Sequence, residues 1–196
     1  MSGPQRSFSA ERIGAWAYTN RFTWNPFPGE SWFRPWEPHD NIAPPGQYLH
    51  AVTRQTPHGP YVLVEPWYAT DLDTEPLERT IFAYATHPHL VRRAAMRVGE
   101  HFVTRVAYLE SAPPPKVEIG DKLWDQHVTT FAASPTEATA AFPPRLRSML
   151  ASWGFQGHLE IRPGGLVMFM AGLRPVPEHY HRLLGATREV LHAALG

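Results

Sequence analysis

Apolar and polar positions along this 196-residue chain follow two rhythms, an alternation of period two that marks strands and a three-to-four-residue spacing that marks helices. Proline and glycine interrupt both. Residues 8–15, "FSAERIGA", suit a short helix with Ser9 as N-cap and Glu11 and Arg12 facing water. Next, "YLHAVTR" (48–54) and "YVLVEPW" (61–67) flank "QTPHGP", whose Pro and Gly favour a turn, so this stretch predicts a β-hairpin. Further strands are expected at "RTIFAYA" (79–85) and "FVTRVAYLE" (102–110), both rich in β-branched and aromatic residues. Between them "HPHLVRRAAMRVG" predicts one short helix ended by Gly99. After the breaker "SAPPPK", the run "KLWDQHVTTFAA" reads as a strand from about Gln126.

The C-terminal third carries the sharpest local signals. In "SPTEATAAF", Ser134 stands at an N-cap, Pro135 at the first helical position and Glu137 at the capping-box position, so a helix starts there. Pro143 and Pro144 interrupt it, and "RLRSMLASW" forms a second helix with Leu146, Met149, Leu150 and Trp153 on one face, closed by Gly154. In "HLEIRPGGLVMFMAG", His158, Glu160 and Arg162 alternate with Leu159 and Ile161, Pro163-Gly164-Gly165 turns the chain, and a uniformly apolar strand returns that should be central. Last, "PEHYHRLLGATREVLHAALG" puts Tyr180, Leu183, Leu184, Val190, Leu191 and Ala194 on one helical stripe behind Pro177 and Glu178. Strand pairs interleaved with helix pairs, without a regular βαβ rhythm, predict an α+β fold: a largely antiparallel sheet with helices packed on one face and a long C-terminal helix. With no repeat or linker, residues 1–196 read as a single domain carrying an irregular Pro/Trp-rich segment at 22–46.

Residues 118–153, "EIGDKLWDQHVTTFAASPTEATAAFPPRLRSMLASW", followed by "LEIRPGGLVMFM", resemble an uncharacterised bacterial domain family of unknown function found in actinobacteria and proteobacteria. In that family an aromatic-Asp pair, here Trp124-Asp125, begins a strand, a short helix has "A…L…L" spacing, and a "GG" hairpin precedes a C-terminal helix. The likeness extends more weakly to "WAY" (16–18) and to "AVTRQTPHGPYVLVEPWY". Members often have an acidic residue where this chain has Ser134. The resemblance implies a fold and no activity.

Composition then narrows the function classes. Charged residues make up 18% of the chain, below the roughly 25% of an average globular protein, and acidic and basic residues balance at 18 each. No electrostatic footprint for nucleic acid or an anionic membrane exists. Without cysteine there is neither a disulfide nor a thiolate site. The N-terminus lacks a signal-peptide core and no run has the length of a membrane span, so a cytoplasmic location is expected. Sixteen arginines against Lys116 and Lys122 alone match a GC-rich bacterial coding bias.

Eleven histidines invite a search for metal. His87 and His89, with His101 further on, form the best set; His179 and His181 are also two apart, and His39 neighbours Asp40. Two-apart histidines share a side only on a strand, and without cysteines the remaining ligands must come from distant loops. "DLDTE" (71–75) resembles the start of a calcium loop, but Pro76 and Phe82 occupy positions needing Gly and Glu. Asp125, His127 and Ser134 are the right chemical set for an activated nucleophile, yet no G-x-S-x-G elbow exists, and the glycines form no phosphate cradle.

The remaining feature is "FTWNPFPGESWFRPWEP" (22–38), with three Trp, three Phe and four Pro and no stretch that reads as helix or strand. Aromatic rings with large apolar area on a segment stiffened by proline are built to be held against something apolar. That surface is either the protein's own sheet or a partner, and Trp24, Phe27, Trp32, Phe33, Arg34 and Trp36 are the residue types enriched at interface hot spots. The expectation is a non-enzymatic soluble protein-protein interaction or assembly module, with another protein or a second copy as partner and no cofactor. The alternative is a small-ligand-binding or metal-dependent enzyme using the clustered histidines.

Overall fold

A computed structural model describes residues 8–28, 48–66, 80–99 and 114–196. In chain order the elements are α1 (Phe8–Thr19), β1 (Thr23–Asn25), β2 (Tyr48–Arg54), β3 (Tyr61–Pro66), β4 (Phe82–Thr86), β5 (Ala94–Val98) and β6 (Lys116–Val117). There follow α2 (Lys122–His127), β7 (Thr129–Ala132), α3 (Pro135–Ala141), α4 (Pro144–Ser152), β8 (Gly157–Arg162), β9 (Gly165–Met170) and α5 (Pro177–Leu195). Among the described residues nine strands join one sheet in the order β1-β2-β3-β4-β9-β8-β5-β7-β6, and every pairing is antiparallel. The α+β expectation holds, and the apolar return strand β9 is central, between β4 and β8.

Register sorts the side chains into two cores. Leu63, Ala83, Met168 and Leu159 share the face covered by the helices, with Ile13 of α1, Leu146 and Leu150 of α4, and Tyr180, Leu183, Leu184 and Val190 of α5. Val62, Val64, Phe82, Tyr84, Val167 and Phe169 form a second buried cluster on the opposite face, where the Phe82 and Phe169 rings lie 5.4 Å apart. Burial on both faces is why β4 and β9 read as continuous apolar runs rather than alternating ones. The stripe on α5 accounts for its stability as a helix, since each buried Leu or Val side chain contributes roughly 1.5–3 kcal/mol.

Several local expectations change under tertiary context. The "AAMRV" part of the segment expected to be helical is strand β5, which pairs with β8 on one side and β7 on the other. Ala94, Ala95 and Met96 are buried together, and two ladders of backbone bonds override the helix propensity of alanine. The Trp124-Asp125 pair stands on helix α2 rather than at the start of a strand: the Asp121 side chain accepts from the Trp124 N–H as an N-cap, and the strand begins at Thr129. Helix α1 runs to Thr19, with Ser9 inside it rather than capping it, and residues 23–25 of the aromatic segment form an edge strand. The expected strand at 102–110 lies outside the described residues. Ser134 caps α3 as expected, its hydroxyl accepting from the Glu137 N–H at 3.2 Å. The Glu137 carboxylate, however, accepts from the Arg93 N–H at 2.9 Å and so ties α3 to the start of β5 instead of closing a capping box.

Candidate functional site

The aromatic segment divides at its described half. Trp24 on β1 pairs with Val52 and turns its ring to the helix-covered face, where a Cβ on Gly14 of α1 would come within 2.7 Å of it. The same ring stacks on His50, with centroids 6.3 Å apart. Phe22 is held by Trp16 at 5.1 Å, and Trp16 in turn touches Tyr180. Trp24 thus seals α1 onto the sheet edge. Phe27 does the opposite: it is 53% exposed, although its backbone is fixed by its N–H donating to the Asn25 side chain at 3.1 Å and by the His50 N–H donating to the Pro26 carbonyl at 3.0 Å. Trp32, Phe33, Arg34 and Trp36 lie outside the described residues.

The histidines assemble differently from the expected set. His87 and His89 are joined by His58 from the β2–β3 turn, with ring centroids 4.5 Å (His58 to His87) and 5.2 Å (His87 to His89) apart, while His101 lies outside the described residues. The His89 N–H donates to His87 Nδ1 at 3.3 Å. Burial pushes the His87 imidazole below its ordinary range, and the neighbouring His58 and His89 push it further. Among the described residues no three His, Asp or Glu side chains are placed to hold a metal ion. His179 has a structural task, its Nδ1 accepting from the Arg174 N–H at 2.9 Å ahead of the first turn of α5. The chemical set of Asp125, His127 and Ser134 is not brought together as a triad: Asp125 accepts from the Ile119 and Gly120 N–H groups, Ser134 caps α3, and His127 is exposed.

Two features escaped the sequence reading. On β8 the alternating His158, Glu160 and Arg162 are buried on the face of the second core, where a strand with one wet face would expose them. The Glu160 carboxylate bridges the two, 3.4 Å from His158 Nε2 on one side and bonded by Arg162 Nε on the other. The alternation was visible, but its polar half reads as solvent-facing unless the second layer is known.

The other feature is a cleft of about 540 Å³ between β5, α2 and α4. Its floor is Met96, Trp124, Leu150 and Phe155, and Leu123, 75% exposed, forms part of its wall. The Trp124 indole is fixed by donating its N–H to the Thr130 hydroxyl at 2.8 Å, which leaves the ring's carbon atoms for the cleft. At the rim Arg147 donates from Nε to Asp121 at 3.2 Å and from Nη1 to the Phe142 carbonyl at 2.8 Å, so its charge is matched within the protein. These residues come from three elements separated by up to sixty positions, and no spacing in the sequence announces them.

This architecture is similar to that of the crystal structure of the mycobacterial trehalose monomycolate transport factor A, TtfA, with a TM-score of 0.63 over 96% of this chain and 95% of that one. At 11% identity the likeness is one of fold. No family model matches the chain. No curated protein matches it either. Among the described residues no helix is long and apolar enough to cross a membrane.

Proposed function

We propose that this chain is a non-catalytic, soluble cytoplasmic interaction or assembly module whose partner is another protein, and that the aromatic segment 22–38 supplies the contact. The observation that carries this reading is Phe27: a large apolar ring held outward on a pinned backbone beside an edge strand. An ordered exposed aromatic loses little conformational freedom on binding, which is what an anchor residue requires. Trp32, Phe33, Arg34 and Trp36 follow in the same segment and are residue types enriched at interface hot spots. The shared fold with a transport factor, over nearly the full length of both chains, supports an accessory role.

The test compares wild type with Phe27→Asp and with Trp32→Ser/Trp36→Ser in quantitative pull-down from the native host, followed by direct binding of the enriched protein to purified chain. Circular dichroism establishes that each variant folds. A partner bound directly by wild type and lost at least tenfold by folded Phe27→Asp is the expected result. Equal retention by both variants overturns the assignment of this surface, and concentration-dependent self-association in sedimentation, abolished by Phe27→Asp, makes a second copy the partner.

A further inference from the structure

The cleft between β5, α2 and α4 lies toward the opposite end of the sheet from β1 and is independent of the surface proposed above. We propose that it binds a single molecule of an uncharged amphiphile, one with an apolar body and a hydrogen-bonding head. Volume comes first: about 540 Å³ falls within the range of sites that enclose a small organic molecule, roughly 300–1,000 Å³. A lone partner side chain would leave much of that space unfilled.

Chemistry follows from what the walls offer. Val98, Leu123 and Val128 present carbon, with Met96, Trp124, Leu150 and Phe155 packed beneath them, and the one polar atom of the Trp124 ring is turned away to Thr130. The two formal charges at the site neutralise each other. Asp121 accepts from Arg147 and from the Trp124 N–H, and Arg147 is further bound to the Phe142 carbonyl. A charged ligand would have to break that arrangement to find a counter-ion, leaving a charge unmatched in a largely apolar cleft. The side chains of His127, Ser148 and Gln156 at the rim engage no hydrogen-bond partner among the described residues, which leaves them able to meet a hydroxyl or amide.

The walls are also fixed before any ligand arrives. The Asp125 carboxylate accepts from the Ile119 and Gly120 N–H groups at 3.1 and 2.9 Å and sets the entry to α2. The end of α4 is closed by Gly154 N–H donating to the Ala151 carbonyl and Phe155 N–H to the Leu150 carbonyl, which seats the Phe155 ring. Fixed walls keep the ordering cost of binding low.

Titration calorimetry with 1-hexanol, 1-octanol and 1-decanol tests the assignment. The expected result is one saturable site per chain, with Kd falling about fourfold per added methylene as apolar area is buried. Decanoate and decylammonium bind at least tenfold more weakly than decanol. Ala151→Trp, which fills the cleft from an exposed position on α4, weakens decanol at least tenfold while leaving the urea midpoint near that of wild type. Should that variant not fold, Leu123→Asp at its exposed wall position gives the same weakening. No saturable binding, equal binding by wild type and the folded variant, or decanoate binding as tightly as decanol each overturns the proposal. Co-sedimentation with neutral phosphatidylcholine vesicles in place of 1:1 alkanol binding also overturns it, since a bilayer surface would then be the occupant.

Discussion

Replacing Gly14 with alanine sets two forces against each other on α1, and the balance depends on one ring. Inside a helix, Gly→Ala stabilises by about 1 kcal/mol, because glycine loses more backbone freedom on folding. At position 14 the new methyl would stand 2.7, 2.8 and 3.0 Å from three carbon atoms of Trp24, whereas ordinary contact begins near 3.4 Å. The ring would have to withdraw by about 0.7 Å from a place set by the β1–β2 ladder and by stacking on His50. Overpacking of this kind costs roughly 1–3 kcal/mol. The expected net effect is a loss of about 1 kcal/mol in the wild-type background. In a Trp24→Ala background, which itself costs about 3 kcal/mol, the obstacle is gone and Gly14→Ala should stabilise by about 1 kcal/mol. The coupling between the two sites is then about 2 kcal/mol, well above the scatter for independent positions. Urea unfolding of the four proteins, read at constant m, measures it. If Gly14→Ala stabilises both backgrounds equally, the Trp24 ring does not lie on α1, and the account of how the first strand is sealed fails.

Two further expectations concern buried charge. Glu160→Gln should cost about 3–5 kcal/mol by leaving His158 and Arg162 without the carboxylate between them, while the triple change His158→Val/Glu160→Leu/Arg162→Met should cost less than the single one in urea unfolding. The reverse ranking would mean that the ionic trio supplies net stability. His87, held below its ordinary 6.5 by burial and by its histidine neighbours, takes up its proton in the unfolded chain first as pH falls. Its contribution is therefore complete above about pH 6.5 and is lost as pH falls through the folded value, so His87→Asn should flatten the decline of the urea midpoint between pH 7.5 and 5. Parallel pH curves for wild type and His87→Asn would refute this.

What could be read directly from the chain was local. The N-cap at Ser134, the proline that opens α3, the Pro163-Gly164 turn and the stripe on α5 each depend on partners a few residues away, so spacing alone reveals them. The α+β class followed from the same signals, because a strand or helix announces its period before it announces its neighbours. Strand identity at Ala94–Val98 was not legible: "AAMRV" has no period of its own, and it became extended because β8 and β7 offered it ladders on both sides. Nor could the aromatic segment declare which ring is core. Trp24 lies within the β1–β2 pairing, which turns it toward α1, whereas Phe27 lies beyond the end of β1 and stays exposed, and nothing local in the segment marks where that strand stops. The cleft and the buried His158–Glu160–Arg162 row belong wholly to the tertiary structure. The sequence alone determined where the chain turns, caps and buries a stripe, all matters of contact within a few residues. Which strands became neighbours, and hence which polar residues left water, was decided by long-range pairing of segments that carry no mark of one another.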